Sequence, residues 1–110
     1  MASQDNIKHL TEDTFSKDIQ DGVVLVDFYA DWCGPCRMIS PVLADLAKGR
    51  AGHLKIVKVD VDANPDLARR FGAMSIPLLV VIRDGAEVDR VVGALPRAAL
   101  EQRLEPALAA

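Results

Sequence analysis

The chain has 110 residues, half of them hydrophobic, and a net charge of −3 at pH 7. That length predicts a single domain, residues 1–110, able to bury a core without covalent or metal staples. No basic patch invites nucleic acid, and the longest apolar run, Leu78 to Ile82, is far shorter than the roughly 20 residues that span a bilayer.

In chain order, Met1–Leu10 has no apolar core of a secretory signal, so a cytoplasmic location is expected, where thiols are kept reduced. Asn6–Leu10 reads as an edge strand. Thr11 is placed to N-cap a helix over roughly Glu12–Gln20, with Phe15 and Ile19 on one face. Asp21-Gly22 breaks it. Val23–Ala30 is nearly continuous apolar sequence rich in β-branched and aromatic residues, the pattern of a strand buried on both faces. Helical spacing follows, with Met38, Ile39, Val42, Leu43 and Leu46 on one face, a kink expected at Pro41, and an end between Gly49 and Gly52.

Lys55–Val61 is a second buried strand. Asn64-Pro65 pairs an N-cap with proline at the first helical position, so a short helix runs to Phe71 and stops at Gly72. Pro77–Arg83 is a third apolar strand. Asp84-Gly85 is a hairpin turn, and Glu87–Val92 returns beside it until Gly93. Pro96 opens a last helix with Leu100, Leu104 and Leu108 four apart. The order β-α-β-α-β-α-β-β-α predicts an α/β fold, a mixed sheet covered by helices on both faces.

Both cysteines, Cys33 and Cys36, stand three apart where the first buried strand gives way to a helix. A structural zinc site needs four ligands, and the two isolated histidines, His9 and His53, do not complete one. Inert core thiols are the other plain reading, but this spacing beside Gly34-Pro35 is unusual for core sequence. A redox dithiol fits better. Residues three apart in a helical turn have Cα atoms about 5 Å apart, within disulfide range. Cys33 falls at the helix start, where free N–H groups and the macrodipole favour a thiolate, so it is assigned as nucleophile. Cys36, one turn in and shielded by the helix, is assigned as resolving thiol. Pro35 fixes φ in the first turn, and Gly34 leaves the approach to the sulfurs open.

The run VDFYADWCGPCRM, Val26–Met38, resembles the active site of the thioredoxin family. The resemblance extends over nearly the whole chain: Asp27, Pro41, KVDVDANP at 58–65, SIP at 75–77, the hairpin at Asp84-Gly85 and VGALP at 92–96. It implies the thioredoxin fold, a central mixed five-stranded sheet of order 1-3-2-4-5 flanked by four helices. It also implies a general protein disulfide reductase with no bound cofactor, acting on disulfide-containing client proteins. Re-reduction would come from thioredoxin reductase using NADPH, and a monomer is expected. Tyr29 stands where the family commonly has Trp, Leu78 where Thr is usual, and Met74-Ser75 where Arg-Gly is commoner; all bear on partner choice.

Asp27 lies inside the first buried run, where a charged carboxylate is costly, so its pKa is expected to rise. A carboxyl beneath the cysteines can serve as general base for Cys36, a role the resemblance supports. Lys58 on the neighbouring strand is its expected electrostatic partner. The resemblance further implies a cis Ile76–Pro77 bond facing the disulfide, with the Ile76 backbone free to pair with an extended substrate segment. Trp32, Gly72, Ala73, Ile76 and Gly93, with Gly34 and Pro35, would form a modest apolar docking surface. An oxidase or isomerase on the same fold is disfavoured because Gly34-Pro35 brings no charged donor to the sulfurs. A binding subunit without redox activity is the alternative from another class.

Overall fold

The computed structural model describes residues 7–109. Five strands form one sheet: β1 (Lys8–His9), β2 (Val23–Tyr29), β3 (Leu54–Asp60), β4 (Leu78–Arg83) and β5 (Ala86–Val92), in the spatial order β1-β3-β2-β4-β5. Four helices cover it: α1 (Phe15–Asp18), α2 (Gly34–Gly49), α3 (Pro65–Phe71) and α4 (Arg97–Ala109). β2 lies parallel to β3 and antiparallel to β4, so the sheet is mixed, and the thioredoxin fold expected from the sequence is present.

Alternation along β2 divides the core. Val23 and Leu25 point to one face, with Ile39, Leu43 and Leu46 of α2 and Leu100 and Leu104 of α4. Val24, Val26 and Phe28 point to the other, with Phe15 of the α1 turn, Ile19 just after it and Leu67 of α3. Both faces of β2 and β4 are buried, which is why these strands read as unbroken apolar runs rather than alternating ones.

The first helix is shorter than its sequence suggests. Thr14, not Thr11, precedes it, and the Thr14 hydroxyl accepts from the Thr11 amide at 3.0 Å, so residues 11–14 are spent on a turn. At α3 the Asn64 side chain does not cap its own helix; its Oδ1 accepts from the Glu12 amide at 3.1 Å. Glu12 caps α3 instead, its carboxylate accepting from the Asp66 amide at 2.7 Å. Met38, expected on the buried face of α2, is exposed, while Val42 is half-buried against the core. In α4 it is Ala107 that is buried with Leu100 and Leu104; Leu108 is half-buried. Asn6, the first residue of the expected edge strand, lies outside the described residues. Between β4 and β5 the register shifts: Val81 pairs with Asp89 and Ile82 with Glu87, leaving Val88 as an extra residue that bulges the edge strand.

Candidate active site

β2 delivers the chain to the sheet's carboxyl-terminal end, where Ala30–Trp32 turn into α2. Cys33 is the N-cap residue of that helix, in extended conformation at φ −87° and ψ 111°. Its own amide donates to the Ala30 carbonyl at 3.1 Å, fixing the turn. Pro35 occupies the first helical turn, where its missing N–H costs nothing. Cys33 and Cys36 are joined in a disulfide, their Cα atoms 5.3 Å apart.

The Cys36 amide donates to Cys33 Sγ at 3.2 Å. Cys33 therefore caps the helix with sulfur, where Ser or Asp would use oxygen. In the reduced protein the same N–H and the helix dipole favour negative charge on that sulfur. The two cysteines are about equally buried, 4% and 3% exposed, so exposure does not separate them as the sequence suggested. Position at the helix terminus does.

β4 is antiparallel to β2 and so begins at this same end, with Leu78 paired to Phe28. It brings the Ile76–Pro77 peptide, which is cis, with Pro77 buried and the Ile76 carbonyl oxygen 3.8 Å from Cys33 Sγ. The Gly93 amide donates to the Pro77 carbonyl at 2.8 Å, so the end of β5 closes the same wall; Gly93 sits at φ 98°, open to glycine and strained for other residues. Trp32 is 67% exposed, and its indole N–H donates to Asp62 at 2.9 Å. Gly72 ends α3 in the left-handed conformation, Ala73 is half-buried, and Met74 after it is 95% exposed.

Asp27 and Lys58 face each other across β2 and β3 in register. By alternation both lie on the α2 face of the sheet, beneath the helix that carries the cysteines. Asp27 is 1% exposed and Lys58 6%. The Lys58 ammonium donates to the Ser40 hydroxyl on α2 at 2.9 Å. The contacts of Tyr29 with Lys58 and His9 are additions that sequence reasoning missed. Lys58 Nζ lies 5.5 Å from the centroid of the Tyr29 ring, and the Tyr29 hydroxyl is 3.2 Å from His9 Nδ1. These contacts cross three strands, and no spacing along the chain signals them. Among the described residues no group of three or more His, Cys, Asp or Glu side chains gathers as metal ligands would, and no helix is long and apolar enough to cross a membrane.

The comparisons with known proteins agree with this geometry. The family model described as Thioredoxin matches residues 6–106. The chain is 50% identical to the thioredoxin of Staphylococcus haemolyticus over 99 residues, 90% of this chain and 95% of that protein. It is 50% identical to the thioredoxin of Bacillus subtilis over 92 residues, 84% and 88% of the two chains. Against the thioredoxin of Listeria monocytogenes it is 46% identical over 96 residues, 87% and 93%. With the sheet order, the cysteine pair and these relatives in agreement, the chain belongs to the thioredoxin family.

Proposed function

We propose that this chain is a protein disulfide reductase, a thiol-disulfide oxidoreductase that exchanges its Cys33–Cys36 dithiol with disulfides of client proteins. The observation that carries the reading is the disulfide at the start of α2, with a helix amide donating to Cys33 Sγ. The Cys33 thiolate attacks a client disulfide, forming a mixed disulfide and releasing one client thiolate. Cys36 then loses its proton to Asp27 and attacks Cys33 Sγ. The internal disulfide forms, the second client thiolate leaves, and two electrons have passed to the client. Burial of Asp27 supports its role as base, because desolvation favours the neutral carboxyl and so raises its affinity for the proton.

Gly34 and Pro35 shape the first turn, and Lys58 sets the charge beside Asp27. Pro77, Ile76 and Gly93 form the wall opposite the sulfurs, and with Trp32, Gly72 and Ala73 they make the client-docking surface. Electrons return from thioredoxin reductase and NADPH, with no cofactor bound to the chain itself. The working unit is the single domain 1–110, a cytoplasmic monomer.

The test is reduction of a protein disulfide such as insulin's, first with dithiothreitol and then with thioredoxin reductase and NADPH. Turnover in both assays, abolished in Cys33→Ser, is expected. Binding of the client without any turnover would leave the non-catalytic binding subunit.

A further inference from the structure

The side chains beneath α2 include one aromatic ring that the exchange chemistry does not use. Tyr29 ends β2, two residues beyond Asp27, and packs against the small cluster of Ala30, Cys33 and Cys36. Its ring face carries the Lys58 ammonium at 5.5 Å. Its outer end is held from β1: the hydroxyl meets His9 Nδ1 at 3.2 Å, and the His9 ring stands edge-on at 5.9 Å and 82°. Lys58 is thus held by the Ser40 hydroxyl from above and by the Tyr29 ring from the side. An ammonium with a lysine's four-carbon stem has many orientations, and a ring face in a desolvated setting removes some of them.

We propose that Tyr29 is a positioning residue, which holds the Lys58 ammonium beside Asp27 and is itself braced by His9 at the sheet edge. The inference rests on the functional reading of Asp27 given above, and deepens it. Desolvation favours the neutral acid, and the ammonium of its in-register neighbour Lys58 would offset part of that by favouring the carboxylate. Where the ammonium sits therefore sets the pH at which the base is ready. The charged and titratable groups around the ring are His9 from β1, Lys58 and Asp60 from β3 and Asp27 from β2 itself; Cys36 from α2 is held in the disulfide of the oxidised protein and does not titrate there. Asp60 pairs in register with Tyr29, but its carboxylate is engaged with the Asp62 and Ala63 amides. Lys58 is then the member whose position the ring controls.

The test follows the Asp27 carboxyl carbon by NMR titration of the oxidised protein, which needs no turnover. In Tyr29→Leu the ring face is gone, the ammonium is free to swing away, and the Asp27 midpoint should move up by roughly half a pH unit. Tyr29→Phe keeps the face and should hold the wild-type midpoint. In a Lys58→Met background, Tyr29→Leu should move nothing, since no ammonium remains to be held. A Tyr29→Leu midpoint equal to wild type, or an equal shift in the Lys58→Met background, overturns the proposal. Tyr29→Met, also without a ring, serves if the Leu variant does not fold. Insulin reduction by the same proteins is read separately. Loss of turnover in wild type would refute the reductase function while leaving the titration result to judge Tyr29.

Discussion

Cys33 Sγ is at once a helix cap and a redox atom, and the two duties favour the same charge state. On the proposed assignment of Cys33 as nucleophile, the cap amide that meets the sulfur at 3.2 Å is the group that would favour its thiolate. Cys36→Ser should therefore accumulate a mixed disulfide with client proteins, because attack proceeds and resolution cannot; Cys33→Ser should trap none. Non-reducing gels of the two variants after exposure to a disulfide protein check this, and the opposite pattern would reverse the roles. Asp27 gives a second expectation. On the proposed role, its unfolded pKa is about 3.9 and desolvation at 1% exposure is expected to raise the folded value. The proton then binds the folded state more tightly, so the stability linked to Asp27 is fully present below the unfolded pKa. It is lost as pH rises through the folded pKa. Asp27→Ala should resist urea better than wild type at pH 7 to 8, with the gain shrinking toward acid, and should reduce insulin more slowly. A less stable mutant with undiminished turnover would make Asp27 a structural partner of Lys58. The acid was legible because a lone carboxylate interrupts Val23–Ala30. Tyr29 was legible as a departure from the family's usual Trp, but not as a partner of Lys58, since the contacts that place it there come from β1 and β3.

Among the elements, the three central strands were read to within a residue at their ends, because burial leaves long apolar runs; the edge strand expected over Asn6–Leu10 is only Lys8–His9, and β5 was read from the turn before it rather than from burial. The helix ends were harder. Thr11 and Asn64 are sound capping residues by type, yet each makes other hydrogen bonds, and α3 is capped by Glu12 from a loop more than 50 residues away. Such exchange of partners follows from tertiary packing and leaves no local trace. The same holds where α4 meets β5. Arg103 donates twice to Asp89, at 3.0 and 2.9 Å, and once to the Arg90 carbonyl at 2.9 Å. The Arg103 hydrogen bond holds the Asp89 carboxyl below its usual range. With a depressed folded pKa, the stability from Asp89 is present above its unfolded value and is lost as pH falls through the folded one. Arg103→Met should lower the urea midpoint modestly at neutral pH, as expected for a pair this exposed. The gap from wild type should close in acid. An unchanged gap from neutral to acid pH would show that the pair contributes through packing rather than charge.

For the molecule as a whole, reduction of the disulfide opens a four-residue loop, and the chain-entropy account gives about 2 kcal/mol of stability lost. Urea melts of the oxidised and reduced forms measure this; a reduced protein of equal or greater stability would mean that its thiolate hydrogen bond fully offsets the lost link. The alternation of elements announced a mixed sheet with helices on both faces. The strand order did not follow from alternation alone and came with the family resemblance, because only spatial pairing decides that β3 lies outside β2. β5 is an edge strand of seven residues, a length that could template another chain. Yet the Arg90 N–H is taken by the Asp89 carboxylate at 2.8 Å, its C=O is taken by Arg103, and the bulge at Val88 interrupts the strand two residues away. β1 at the far edge is only two residues long. Both margins of the sheet are thus poor templates for strand addition, so that on the proposed function a client would approach end-on, at the sulfurs, rather than pair along the flanks.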